Sequence, residues 1–269
     1  MQGMRFTIVL MAISVAIAPR VGRAQSPSLS AARLHASVEI GPDDMFVYRY
    51  TVENGAGSTA GISKMTVDIE AAPIVLSAPH PGWRTTIGKD RTARWVAVKD
   101  ASLVFPKQRL AGFSLSSHGP PSLRRFTLAP HIDPDRAPIT PPGDDPGEED
   151  RYQQEFDQYV ESRSVAGITL APAALVTATP EGLVASLASQ VVRARALRWI
   201  SSDAITRSVT EKLQDARAAI LRRQFDSAGS VLRALRNEVA AQSGKTLTSE
   251  AVALVDVNIQ YALRLVAKP

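Results

Sequence analysis

The chain carries four histidines, at positions 35, 80, 118 and 131, and no cysteine. Those few groups bound its chemistry. Without thiols there is no thiolate nucleophile, no Cys-ligated zinc or iron–sulfur cluster, and no disulfide. The histidines lie too far apart in sequence for the i, i+4 pair that grips zinc from one helix. His80 sits in Pro79-His80-Pro81-Gly82, and His118 beside Gly119-Pro120-Pro121, so each occupies a turn. If both turns share one end of a domain, the two rings form a small ligand-binding pair. Trp83 follows Pro81-Gly82 and is expected at the surface, where an indole can stack on a sugar ring or on a partner's loop. Trp83, His80 and His118 are therefore the candidate ligand-binding residues. No catalytic residue, cofactor or metal is expected.

Other motifs imitate known sites and fail on context. Gly55-Ala56-Gly57-Ser58-Thr59-Ala60 has the spacing of a dinucleotide fingerprint, which requires a helix next. Strand alternation resumes at Ile62 instead, so the segment reads as a hairpin loop. Ser243-Gly244-Lys245-Thr246 copies the end of a phosphate-binding loop, but position 239 is Val where the first glycine is needed. Gly61-Ile62-Ser63-Lys64-Met65 lacks the last glycine of a nucleophile elbow. Asp144, Asp145, Glu148, Glu149 and Asp150 crowd around prolines, whereas calcium loops alternate their oxygens about a turning glycine. An enzyme is not expected.

Elements that would position such groups follow from patterning. Met1 to Ala24 reads as a secretory signal: Arg5, an apolar run from Phe6 to Ala18, Pro19, then Gly22-Arg23-Ala24 before Gln25. That run spans about 20 Å as a helix, short of the ~30 Å hydrocarbon core. The protein is thus expected to be exported, to the periplasm or beyond, with no transmembrane segment after cleavage. The net charge of +5 falls to +2 once Arg5, Arg20 and Arg23 are removed, so basicity is no footprint of nucleic acid.

Residues 25–130 alternate with period two. Leu34, Ala36, Val38 and Ile40 form one apolar row, Phe46, Tyr48, Tyr50 and Val52 another, and Met65, Val67 and Ile69 a third. Shorter candidates are 83–87, 94–98, 110–116 and 124–128. About seven short strands between turn signals predict a β-sandwich of immunoglobulin-like kind. Residues 131–178 are an acidic, proline-rich linker; ten acids and two bases fall between 131 and 161. Tyr152, Phe156 and Tyr159 allow one short helix in it, and Val165 to Leu170 one strand. Residues 179–269 are helical in period, beginning at the cap Thr179-Pro180-Glu181. Asp226 and Thr248 are the expected caps of the last two helices. The fold class is α+β multidomain: an N-terminal all-β sandwich, a linker, and a C-terminal all-α small helical bundle. Two separate small cores, held without disulfides, are expected.

From about 205 the bundle resembles the FIMAH domain of exported bacterial proteins. The resemblance rests on Lys212-Leu213, Ala216, Ala219-Ile220, Ala228, Leu232, Leu235, Val239, Gly244-Lys245 and Leu247-Thr248. It departs at Arg223, where a turn glycine is usual, and at Leu235, where phenylalanine is usual. A tighter or more helical connection is expected at 222–226. The resemblance implies an exported, non-catalytic accessory module and brings no site residues. The strand region is similar to an unnamed β-module of exported bacterial proteins, through Tyr48 to Asn54, Pro81-Gly82-Trp83, Arg94-Trp95 and Leu110 to Ser117. The expected function is a non-catalytic binding or scaffold protein whose partner is a protein or polysaccharide at the cell envelope. Carbohydrate binding by loop aromatics is the alternative, and an uncharacterised hydrolase the second.

Overall fold

The computed structural model describes residues 27–143, 146–174 and 179–267. Residues 1–24, the expected signal segment, lie outside them, as do Asp144 and Asp145. Alternating apolar residues give each strand one face to bury. In chain order the strands are β1 (Ala32–Ile40), β2 (Phe46–Asn54), β3 (Ile62–Asp68), β4 (Val75–Ser77), β5 (Trp83–Ile87), β6 (Thr92–Ala97), β7 (Gln108–Ser117), β8 (Pro121–Pro130) and β9 (Val165–Pro172). They form two antiparallel sheets, ordered β1-β2-β7-β4 and β5-β6-β3-β8-β9. The strand expected at 165–170 is thus β9. It is not free in a connector, because eight residue pairs, Pro121↔Pro172 to Leu128↔Val165, join it to β8.

The glycine-rich loop after β2 does not make a hairpin. β2 and β3 belong to different sheets, so the loop crosses the sandwich. Asn54, fully buried, pins this crossing: its Nδ2 donates to the carbonyls of Ala60 (2.9 Å) and Val104 (2.7 Å).

Aromatic rings fill the space between the sheets. Tyr50 and Phe113 from one sheet meet Trp95 and Trp83 from the other, edge to face, at centroid distances of 4.9–6.2 Å. Such pairs add to the area that the rings bury. Two hydroxyls in this core find backbone acceptors. Tyr48 Oη donates to the Gly119 carbonyl at 2.7 Å, and Tyr50 Oη to that of Leu170 at 3.0 Å. Gly119 must lack a side chain, since a Cβ there would stand 2.3 Å from the Ala173 carbonyl oxygen.

Burial pushes both phenols well above their ordinary range, and for Tyr48 the neighbouring Tyr50 adds to the effect. The unfolded chain loses these protons near pH 10, while the folded chain keeps them. Their contribution to stability is therefore complete below about pH 10 and is lost as pH rises above it. The expected slope is about 1.4 kcal/mol per pH unit for each phenol. Urea unfolding between pH 9 and 11 should show it. The Tyr48→Phe/Tyr50→Phe double variant should be weaker at pH 8 but lose less on going to pH 11.

The helices are α1 (Pro146–Ser162), α2 (Pro180–Ala196), α3 (Asp203–Leu221), α4 (Phe225–Gln242) and α5 (Ser249–Val266). Thr179 caps α2 by accepting from the Gly182 N–H, and Thr248 caps α5 by accepting from that of Ala251. Asp226 is not a cap: α4 begins one residue before it, behind Gln224, and Asp226 lies in the first turn. There its carboxylate still faces the positive end of the helix dipole. Gly244, at φ 71°, takes the left-handed turn after α4 that glycine favours. Arg223 takes the same conformation after α3, at φ 57°. The connection is therefore not more helical; arginine occupies a glycine-type turn. Arg223→Gly is expected to stabilise the protein by about 1 kcal/mol, read as a higher urea midpoint at unchanged slope. A lower midpoint would count against the left-handed turn.

The two parts share one continuous hydrophobic core rather than two. α5 lies along β1 and reaches β8 and β9. Tyr261 meets Phe46 edge to face at 5.1 Å. Asn258, 1% exposed, donates to the carbonyl of Pro121 at 2.9 Å, and Arg264 pairs with Asp44 at 2.7 Å. His35 of β1 stands between Glu53 and Glu250, at 3.4 and 3.5 Å. Among the described residues no helix is long and apolar enough to cross a membrane.

Candidate functional site

The three predicted site residues do not come together. Trp83 is buried, at 4% exposure. Its Nε1 donates to the Ser102 carbonyl at 2.9 Å, and its ring packs on Phe113. Position 83 is the first residue of β5 and points into the sandwich, so the preceding Pro-Gly turn did not bring it to the surface.

His80 and His118 are exposed, at opposite ends of the sandwich. β4 runs antiparallel to β7, with Ser77 opposite Ser114, and Pro79 then packs against Gly112. His118 follows the far end of β7. Six residues of strand, about 20 Å, separate the two turns. His80 Nδ1 accepts from the Gly82 N–H at 3.1 Å and lies at the rim of a cleft of about 350 Å³ near Arg109 and Leu110. Among the described residues no three His, Asp or Glu side chains gather to hold a metal ion.

A larger cleft, of about 560 Å³, lies where the sandwich meets α2. Its construction begins with a mismatch of strand lengths. β3 pairs with β8 only over residues 126–130, so the start of β8 runs past its neighbour. The Leu123 N–H, left without a strand partner on that side, donates to Gln190 Oε1 at 3.0 Å. Gln190 in turn donates from Nε2 to Ser186 Oγ at 3.3 Å. The amide thus replaces a missing piece of sheet and fixes α2 against β8.

The opposite wall is locked as well. Arg124 donates to Ser122 Oγ at 3.0 Å and forms an ion pair with Glu70. Glu70 also accepts from the Ala174 N–H at 2.9 Å. Leu123, Leu183, Pro120 and Ala173 supply apolar surface. Ser189 and Arg193 line the cleft from α2, and their side chains have no hydrogen-bond or ion-pair partner among the described residues. The polar groups are therefore hydroxyls, one amide and two guanidinium groups, with one carboxylate already paired. Such a wall can orient a ligand by hydrogen bonding and charge.

Gln190 and Ser186 escape a reading based on known motifs. One signal for Gln190 is present in the sequence: it interrupts the apolar stripe of Leu183, Leu187, Val191 and Ala194, and a polar residue on a buried stripe needs a partner. Asn258 gives the same signal between Val255 and Ile259. No protein-family model matches the chain, and no curated protein matches it.

Proposed function

We propose that the protein is an exported, non-catalytic binding or scaffold protein, acting at the cell envelope or outside the cell, whose ligand seats in the cleft between the sandwich and α2. The observation that carries this reading is the make-up of that cleft. Its walls are held by Gln190–Leu123 and Arg124–Glu70, so the polar groups are placed before any ligand arrives. Preorganisation of this kind lowers the entropic cost of binding. The carboxylate in the cleft, Glu70, is already held by Arg124 and the Ala174 N–H, and no histidine is among the described lining residues, which favours binding over bond cleavage.

In this reading the two sheets are an immunoglobulin-like sandwich, and the helices from about 205 are a FIMAH-like accessory module. The signal segment supports export. The test uses Ser186→Trp, which fills the cleft from an exposed helix position. Bait protein should retain an envelope component that the variant, folded at the assay temperature, releases. Equal capture by both proteins would place the site elsewhere. Export is checked by N-terminal sequencing of protein from the periplasmic fraction, with Gln25 expected first; an intact Met1 in the cytoplasm would overturn it.

A further inference from the structure

We infer that the cleft between β8 and α2 takes a small amphiphilic carboxylate, with its acid group on Arg193 and its apolar part along α2. This assignment rests on the reading of the cleft as a binding site and goes on to name the ligand's chemistry.

The groove has a direction. Gly182, Ser186, Ser189 and Arg193 fall at i, i+4, i+7 and i+11, a single face of α2. They extend over about 16 Å of helix. Small residues at the first three positions leave the groove open, and the fourth closes it with a cation. Across from them, Leu123 and Pro120 give an apolar floor.

The charges decide which headgroup fits. Three charged side chains line the groove: Glu70, Arg124 and Arg193. Glu70 and Arg124 satisfy each other, and Arg124 is further held by Ser122. Among the described residues no group compensates the charge of Arg193 or occupies its guanidinium fork. A carboxylate matches that fork with two parallel hydrogen bonds. The free hydroxyl of Ser189 lies one turn away on the same face and can donate to the same headgroup. A cationic ligand would meet a groove of net positive charge, and a neutral one would leave the Arg193 charge unmatched.

Octanoate and octanamide, which share an apolar chain and differ in charge, test the assignment by calorimetric titration into the purified protein. Octanoate should bind at least about tenfold more tightly than octanamide. Arg193→Gln should erase that preference while leaving weak binding of both, and Ser186→Trp should abolish both. Arg193→Gln should melt like the parent, since position 193 is exposed, and Ser186→Trp, which takes an acceptor from Gln190 Nε2, is titrated well below its own melting temperature. Equal affinities in the parent protein would overturn the carboxylate assignment, as would a preference that survives Arg193→Gln. Absence of binding of either compound at millimolar concentration would overturn it too. If Ser186→Trp nevertheless releases the envelope component, the cleft remains a binding site and only the ligand's chemistry is wrong.

Discussion

Trp83→Ala is expected to lower the stability of the protein by about 3–5 kcal/mol. The indole is buried, meets Phe113 edge to face at 4.9 Å and donates to the Ser102 carbonyl. Removing it empties a ring-sized volume between the sheets and leaves that carbonyl without its donor. A single domain's net stability is itself only about 5–15 kcal/mol. The variant should therefore show a much lower urea midpoint and a population of unfolded chains. Trp83→Phe keeps part of the packing and loses the hydrogen bond, so its loss should be smaller. If Trp83→Ala instead kept the parent's midpoint and lost only a ligand, the indole would be a surface group after all.

The second large effect concerns the seam. Because sandwich and bundle share one core, heat should unfold the described protein in one cooperative transition. Tyr261→Ala removes the ring that meets Phe46, at a cost of about 3–5 kcal/mol by analogy with other buried aromatics. Asn258→Ala leaves the Pro121 carbonyl without its donor, at about 1–3 kcal/mol. The two positions are neighbours on α5, so their costs need not add. Combined, they should split the single calorimetric peak into two, one for each part. A double variant that still melts in one step would mean that coupling runs through α2 and Gln190 instead.

Local patterns in the chain foretold most elements. β5 falls at 83–87 as its alternation predicts, and Thr179 and Thr248 cap the helices that they precede. What alternation cannot carry is partnership between distant segments. Nothing local in Val165–Pro172 says that it pairs with β8 rather than standing alone. β4 escaped because three residues between prolines are too few to show a period. The aromatic misassignment has the same root. A turn before Trp83 is visible in the sequence, but which face of β5 meets Phe113 is settled only when the sheets pack. The cleft was illegible for a related reason: its walls come from positions 70, 120–124, 173–174 and 179–193, and none of these is a motif by itself. The odd polar residues Gln190 and Asn258 were the readable trace of the docking.

β9 also sets the order in which the chain can become finished. The segment leaves β8 at Pro130, passes through α1, and returns to complete the sheet only at Pro172. The Tyr50 hydroxyl finds its acceptor 120 residues later in the chain. A nascent or threading chain, emerging from its N-terminus, therefore carries an open β8 edge for as long as β9 has yet to appear. Open edges recruit other strands, and contacts so distant in sequence form slowly. The interval before β9 arrives is the point in the protein's life at which a chaperone or a crowded neighbour would matter most.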